Sequence, residues 1–468
     1  MATPLDPTAL GFLLAENRRV PMHVAGLHLY RRPEGAGRNY SRELFEELRG
    51  QDDVAPLFRK RVHRSIKTGG QYVWVDDDQF DIDYHVRHSA LPKPGRVRDL
   101  LELVSRLHST RMARERPLWE WHIIEGLRDG RIAMYVKLHH ALVDGVAASR
   151  LTQSMLTTDP DRRDLPAPWS THPPARTAHA QEAATHTTER VPTAALQQAL
   201  SMAGEAAGLP KALLDTLNRS MRNETSTLSL YAPRTILNQK ITGSRRFAAQ
   251  SWPIERIRSV SKATGTTIND VVLAMSSGAI RAYLLDLDAL PETTMISMVP
   301  VGLKAKEAGR ASMEGGNAVG AVMVKLGTDQ ADPADRLRVV HESMRDGKQA
   351  LSAMTPLQIQ AMSAIGQAPA ILPSLLGLPS AMRPPYNLVV SNVPGPRVPH
   401  FFNGAELLGT YPVSIPIDGM ALNITCTSYS DSMDFGLTGC RRTVPRLQRI
   451  LTHLDDELTA LESATGVA

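Results

Sequence analysis

The sequence predicts a mixed α/β protein whose two halves each combine helices and strands in layers. Helical spacing of apolar residues alternates with short β-branched or apolar runs along both halves of the chain. A stretch rich in Pro, Ala, Thr and His separates them, and 468 residues with 42% hydrophobic amino acids exceed one ordinary domain. We therefore assign residues 1–157 to an N-terminal domain, 158–240 to a linker or crossover, and 241–468 to a C-terminal domain.

The N-terminal half contains a predicted helix followed by a β-hairpin. Apolar spacing predicts the helix from Arg98 to about Arg111. Two strand-like runs follow, Trp121–Leu127 and Arg131–His140, and Asp129-Gly130 between them is a hairpin signal. Helical spacing resumes after Gly145. The pair Asp144-Gly145 is therefore predicted to lie on a turn from a strand into a helix.

The C-terminal half alternates helices and strands. Helical patterns run from Ile268 to Leu285 and, with amphipathic spacing, from Leu447 to Leu461. The strand-like runs between them are Thr294–Val301, Ala318–Leu326, Asn387–Asn392 and Ala421–Tyr429.

One stretch, Gln349–Met382, contains no charged residue. Its prolines interrupt it before the roughly 20 apolar residues that a membrane-spanning helix needs. Three interpretations stay open: a buried pair of helices, the apolar wall of a tunnel for a long acyl chain, or a face that touches a membrane. Leu357 and Ile365 are the candidate acyl-chain contacts within it.

Composition excludes several classes of protein. Two cysteines make no disulfide scaffold, and no secretory leader pattern opens the chain, so the cytoplasm is the expected compartment. The net charge of +5 is dispersed, and we expect no nucleic-acid partner. For the one basic cluster a solvated helix face is favoured, with anionic lipid headgroups or coenzyme A phosphates as alternatives; its members are Arg59, Lys60, Arg61, Arg64 and Lys67.

The residues that point to chemistry are His139, His140, Asp144 and Gly145, at the end of a predicted strand. Neighbouring residues of a strand face opposite ways, so one histidine alone can be the reactive base. A neutral imidazole at a cleft can take a proton from a hydroxyl and return it to a leaving thiolate, which suits acyl transfer from a thioester to an alcohol. We expect Asp144 to hold the loop and Gly145 to permit close backbone approach.

Other kinds of site find less support. A metal site would need a third ligand at suitable spacing, and none accompanies the two histidines. No G-x-S-x-G, phosphate-binding G-x-x-x-x-G-K or dinucleotide G-x-G-x-x-G motif occurs. These absences argue against lipase-like, NTPase and dinucleotide-binding functions.

His-His-x-x-x-Asp-Gly resembles the motif of the coenzyme A-dependent acyltransferase superfamily. Within it, the combination of motifs over nearly the whole chain is most similar to the bacterial wax ester synthase/diacylglycerol acyltransferases. The further matching segments are Pro4-Leu5-Asp6-Pro7, Pro21-Met22-His23-Val24, Pro117-Leu118-Trp119, Asn269-Asp270, Gly316-Asn317, Asn387 and Ser391-Asn392-Val393-Pro394-Gly395-Pro396.

The resemblance implies two chloramphenicol-acetyltransferase-like domains, each a mixed β-sheet with helices, with the active-site channel at their interface. It makes His140 the general base, His139 a supporting residue and Asp144 structural. Asn269 is a candidate donor to the developing oxyanion, and Asp270 a helix-start residue near the substrate. Ser391 and Asn392 are candidate substrate contacts, with a rigid turn as the alternative.

The implied reaction is direct transfer of a long-chain acyl group from acyl-CoA, without an acyl-enzyme and without a cofactor. The acceptor is a fatty alcohol or a diacylglycerol, with some preference for the alcohol. Peripheral contact with the inner membrane or with lipid inclusions is expected. Alternatives are a carrier-protein-dependent condensation or polyketide-lipid transferase, and a lipid-binding protein without activity.

Overall fold

Two six-stranded mixed β-sheets with flanking helices are the main layers of the described part of the chain. The mixture of α and β structure in both halves agrees with the prediction from the sequence. The structure is a computed structural model, and it describes residues 2–143, 145–170, 232–302, 319–352 and 384–467. A small third sheet has three strands, which lie side by side in the order Thr3–Pro4, Tyr72–Asp76 and Lys60–Arg64.

The helices and strands in the described residues are numbered in chain order. The strands are β1 Thr3–Pro4, β2 His23–Arg31, β3 Lys60–Arg64, β4 Tyr72–Asp76, β5 Val86–Ala90, β6 Trp119–Glu125, β7 Ile132–His139, β8 Arg245–Pro253, β9 Ile296–Gly302, β10 Val319–Lys325, β11 Leu388–Val393, β12 Phe401–Phe402, β13 Ala405–Val413, β14 Leu422–Tyr429 and β15 Ser432–Cys440. The α-helices are α1 Pro7–Ala15, α2 Tyr40–Arg49, α3 Pro56–Arg59, α4 Ile82–His85, α5 Val97–Ser109, α6 Gly145–Ser154, α7 Ile254–Thr264, α8 Ile268–Leu285, α9 Pro333–Ser352 and α10 Arg449–Thr465.

The first sheet is centred on β7, whose eight residues are all buried. Its strand order is β12-β13-β2-β7-β6-β5. The predicted hairpin is confirmed, since β6 and β7 pair antiparallel. On its other side β7 pairs antiparallel with β2, which places His23 opposite His139.

The second sheet carries the larger apolar core of the described residues. Its strand order is β10-β9-β11-β14-β15-β8, with β11 parallel to both β9 and β14. The long helices α8 and α10 pack together over it through residues such as Val272, Ile280 and Leu458, each wholly buried. The predicted helix over residues 268–285 is present with those bounds, and the final amphipathic helix is confirmed as α10.

The two halves of the chain are interlocked. Strands β12 and β13, from the C-terminal half, complete the first sheet, where β13 pairs antiparallel with β2. Helix α5, from the N-terminal half, lies along β8 at the edge of the second sheet. There the Ser109 and Ser105 hydroxyl oxygens accept hydrogen bonds from the backbone N–H groups of Arg245 (2.8 Å) and Phe247 (2.9 Å).

The structure bears on two predictions about individual segments. The helix-face interpretation of the basic cluster is wrong, because Lys60–Arg64 is strand β3, paired antiparallel with β4. Of the charge-free stretch Gln349–Met382 only the first four residues, at the end of α9, are described, and Leu357 and Ile365 lie outside the described residues. Within the part of the chain that is described, no helix is long and apolar enough to cross a membrane.

Candidate active site

A cavity of about 660 Å³ lies between the two sheets and receives side chains from both. The first sheet contributes residues of β2 and β7, and the second contributes residues of β11 and β14. Much of its wall is apolar, with Phe12, Met22, Val24, Val136, Leu138, Ala148, Leu156, Met298, Pro300, Val389, Ile415, Ile417 and Met420.

His140 lies at the end of β7 and lines this cavity. Val136 and Leu138 line it too, so alternate residues of the strand face the same way, as predicted from the sequence. The backbone N–H of His140 donates to the Met22 carbonyl oxygen at 2.9 Å. Its imidazole stacks on the Phe12 ring with 4.1 Å between centroids, which fixes the plane of the ring.

His139 points away from the cavity and is buried, with 1% of its surface exposed. Its Nδ1 accepts a hydrogen bond from the Ala141 N–H at 3.0 Å, which places the ring proton on Nε2. Nε2 lies 3.5 Å from Oε1 of Glu16. The His139 ring therefore stabilises the turn after His140 from the side opposite the cavity.

Glu16 completes a buried charged group behind the turn. Its carboxylate lies 3.0 Å from the Arg114 guanidinium and accepts a hydrogen bond from the Met22 N–H at 3.3 Å. Burial by itself would raise the pKa of Glu16, but His139, Met22 and Arg114 outweigh it and lower the pKa to about 2. The carboxylate is therefore ionised at neutral pH. No sequence motif marks Glu16, so the sequence did not predict this contact.

A second buried polar group lies on the same rear face of β7. The Lys137 ammonium donates to the carbonyl oxygens of Leu107 (3.1 Å) and Thr110 (2.7 Å) and lies 3.3 Å from Glu120. The carboxylate of Glu120 also contacts His122 at 3.2 Å. Burial opposes ionisation of Glu120, yet these partners lower its pKa to about 2. The charged groups around Glu16 and Glu120 thus stabilise one face of β7, while its opposite face lines the cavity.

The other predicted site residues fall in three places. Ser391 on β11 lines the cavity, whereas Asn392, its neighbour on the strand, is not among the described lining residues. Asn269 and Asp270 lie in the first turn of α8 and are likewise not among them. Gly145 is the first residue of α6, and Asp144 lies outside the described residues.

Asp270 has a structural role at the start of α8. Its carboxylate accepts a hydrogen bond from the Thr267 N–H at 2.9 Å and closes a capping box with that residue. His341 Nδ1 lies 2.9 Å from the same carboxylate, which links α8 to α9. The helix-start role predicted for Asp270 agrees with this geometry.

Comparison with solved structures identifies the class of fold. The first condensation domain of the CDA synthetase superposes with a TM-score of 0.57 at 17% identity, covering 100% of this chain and 97% of that chain. At this identity the likeness shows the fold alone, which is shared with the condensation-domain and chloramphenicol-acetyltransferase group. The predicted two-domain architecture is thereby confirmed.

The chain belongs to the wax ester synthase/diacylglycerol acyltransferase family. Residues 5–272 match the wax ester synthase/diacylglycerol acyltransferase catalytic domain, and residues 315–462 match the WS/DGAT C-terminal domain. The solved wax ester synthase/diacylglycerol acyltransferase from Marinobacter aquaeolei VT8 is 42% identical with a TM-score of 0.79, covering 99% of this chain and 100% of that chain.

Curated relatives from Mycobacterium tuberculosis H37Rv agree. One, named "Putative diacyglycerol O-acyltransferase", is 48% identical over 99% of this chain and 100% of its own length. Another, named "Probable diacyglycerol O-acyltransferase tgs2", is 47% identical over 97% of this chain and 98% of its own. The protein is therefore an acyltransferase, and the family predicted from its motifs is confirmed.

Proposed function

We propose that this acyltransferase moves a long-chain acyl group from acyl-CoA to the hydroxyl of a fatty alcohol or a diacylglycerol. The observation that supports it best is the position of His140, a histidine fixed by stacking at the wall of a largely apolar cavity between two sheets. Each buried methylene of a substrate chain contributes about 0.8 kcal/mol, so an apolar wall favours long chains.

In the proposed mechanism His140 acts as general base in a ternary complex. It removes the proton of the acceptor hydroxyl while the oxygen attacks the thioester carbonyl carbon. The tetrahedral oxyanion collapses, the carbon–sulfur bond breaks, and the coenzyme A thiolate takes the proton from His140. The acyl group passes directly between substrates, with no acyl-enzyme and no cofactor in the scheme. His139 and Glu16 hold the turn that carries the base.

The charge-free stretch enters the proposal as part of the acyl-chain wall. Leu357 and Ile365 belong to it in sequence, and both are proposed acyl-chain contacts. Replacing either with Trp should shift the preferred acyl-CoA to shorter chains, measured as kcat/KM across a series from octanoyl-CoA to stearoyl-CoA. An unchanged profile for both variants would remove them from the wall.

We also propose that the protein touches a lipid surface through the turn between β3 and β4. Ile66 at this turn is 97% exposed, the most exposed of the large apolar residues in the described parts of the chain. Exposed Arg64 lies beside it, with its guanidinium over the Tyr72 ring. An apolar side chain next to a basic one suits the interface of an anionic membrane or lipid inclusion.

The deciding experiment is transfer from palmitoyl-CoA to hexadecanol and, separately, to dipalmitoylglycerol by the purified protein. Thiol release and lipid products are measured together for the wild type and His140→Ala. We expect ester from the wild type and a loss of at least a hundredfold in kcat for the variant. Thermal unfolding of both proteins checks that the variant is folded. Full turnover by His140→Ala, or no thiol release by the wild type, would contradict the proposal.

A further inference from the structure

One wall of the cavity is polar although its surroundings are apolar. We name this wall the polar ribbon; it consists of Ser391, Ser414, Asn423, Thr425 and Thr427, all of which line the cavity. The last three are alternate residues of β14, so the strand period turns them to one side. Ser391 is the register partner of Thr425 on the parallel strand β11. Two neighbouring strands of the second sheet therefore present hydroxyl and amide groups together.

Some of these groups bond to each other. The Thr425 hydroxyl donates to Oδ1 of Asn423 at 2.7 Å, and the Ser414 hydroxyl lies 2.8 Å from the same Thr425 oxygen. These contacts use the acceptor oxygen of the Asn423 amide and leave its Nδ2 donor for the cavity. Within the described residues, neither that Nδ2 nor the Thr427 hydroxyl has a hydrogen-bond partner.

Both side chains are more than nine-tenths buried, with 7% of Asn423 and 4% of Thr427 exposed. Neither Asn423 Nδ2 nor the Thr427 hydroxyl is among the fully buried side-chain atoms of the described residues that lack a partner, so both donors open onto the cavity. A ligand that displaces solvent there without supplying acceptor oxygens leaves these donors unpaired, which costs free energy. An alkyl chain supplies none. A ligand that fills this part of the cavity well must therefore carry acceptors.

We propose that the polar ribbon binds the ester carbonyl oxygens of a diacylglycerol acceptor and so selects it over a fatty alcohol. The inference rests on the proposed function. A fatty alcohol has a single oxygen, which must stand at His140 to react. A diacylglycerol has two ester carbonyls besides its free hydroxyl, and each can accept from one donor, Asn423 Nδ2 or the Thr427 hydroxyl.

The test compares two acceptors in near-isosteric variants. Thr427→Val removes one donor with little change in side-chain shape, and Asn423→Leu removes one donor together with the oxygen that accepts from Thr425. For each we expect kcat/KM for dipalmitoylglycerol to fall about tenfold, as loss of one buried hydrogen bond implies, while that for hexadecanol changes less than twofold. Thr465→Val is the matched control, because Thr465 on α10 is not among the described cavity residues and its hydroxyl donates to the Leu461 carbonyl oxygen at 2.7 Å.

Other results would overturn the inference. Unchanged selectivity, or an equal fall with both acceptors, would contradict it. If the Michaelis constant for palmitoyl-CoA rises in both assays, the ribbon binds the amide carbonyls of the pantetheine arm instead.

A direct binding measurement keeps the question open to test even without turnover. Titration calorimetry with dioctanoylglycerol and with decanol, in the absence of acyl-CoA, should show weaker diacylglycerol binding by Thr427→Val and equal alcohol binding. If the wild type forms no ester but the calorimetry shows this pattern, the proposed function is contradicted, while the inference that the polar ribbon binds diacylglycerol is supported. Thr427→Val serves if Asn423→Leu does not fold.

Discussion

Glu16 is the residue whose contacts bear most directly on how His140 is held. It lies behind the turn, 3.5 Å from His139, and burial of its side chain is nearly complete, with 1% exposed. Glu16→Gln keeps the shape but removes the charge that pairs with His139 and Arg114. We expect kcat to fall about tenfold with KM for both substrates unchanged, because the base is displaced while the cavity is intact.

Glu34→Gln, at an exposed glutamate in a turn, is the matched control and should leave kcat unchanged. Steady-state kinetics at saturating palmitoyl-CoA would measure both variants. A rise in KM with unchanged kcat would show that Glu16 shapes the substrate site and does not position the base.

For individual residues, the sequence predicted part of the site. Strand alternation separated His140 from His139, because the period of two is set by the backbone alone. The role of Glu16 could not be predicted from the sequence, because its partners His139 and Arg114 lie about a hundred residues away along the chain and contact it only through tertiary packing. Asn423 and Thr427 were missed for a different reason: threonine and asparagine in a strand have no pattern that marks a ligand contact.

At the level of helices and strands, α5 contacts β8 because the spacing of two serines along the helix matches the spacing of two backbone N–H groups along the strand. Ser105 and Ser109 are four residues apart on the helix, a rise of about 6 Å, and Phe247 and Arg245 are two residues apart on the strand, a rise of about 6.6 Å. The helix thereby satisfies the edge of the second sheet with serine oxygens.

Ser105→Ala should lower the free energy of unfolding by about 1–3 kcal/mol, because the buried Phe247 N–H loses its acceptor. Urea unfolding at pH 7.5 measures the change. Ser463→Ala is the control: Ser463 also donates to a carbonyl four residues earlier on a helix, but it is exposed, and its hydroxyl accepts no such bond in the described residues. Equal effects in the two variants would contradict the proposed bridge.

The turn that contains Ile66 gives a second prediction between elements. Ile66→Ser should weaken binding to vesicles of phosphatidylglycerol and phosphatidylcholine about threefold to tenfold, since one apolar side chain no longer enters the interface. Co-sedimentation measures the bound fraction. Leu285→Ser, at a leucine that is 54% exposed at the end of α8, is the control. Equal binding by Ile66→Ser and the wild type would remove this turn from the lipid surface.

Elements were predicted well where the pattern is local. The hairpin of β6 and β7 and helix α8 follow from turn residues and from spacing within one segment. Membership of β13 in the first sheet could not follow, because its partner β2 lies more than 370 residues earlier in the chain. Strand β3 was mistaken for a helix face because its five residues are mostly charged and its apolar pattern is too short to show a period.

Across the whole molecule, buried neutral histidines govern how stability depends on pH. Burial lowers the pKa of His28 and His85 to about 4 and that of His108 to about 3. The unfolded chain takes up these protons below about pH 6.5, so the stability they contribute is complete above pH 6.5 and is lost as the pH falls toward the folded values. Each of these histidines lowers the free energy of unfolding by about 1.4 kcal/mol at pH 5.5. Asp434 opposes them, because burial raises its pKa to about 6 and acid relieves its charge, an offset of about 1 kcal/mol.

His85 is the histidine best suited to test this sum. It is wholly buried, its Nδ1–H donates to the Trp119 carbonyl oxygen at 2.8 Å, and its ring stacks on Trp119. His85→Gln retains a donor but takes up no proton, so it should be less stable than the wild type at pH 7.5 yet lose about 1.4 kcal/mol less on going to pH 5.5. Urea unfolding at the two pH values measures this difference, with His63→Gln, at a half-buried histidine on β3, as the control. If His85→Gln and the wild type lose equal stability, the acid sensitivity arises from groups other than the buried histidines.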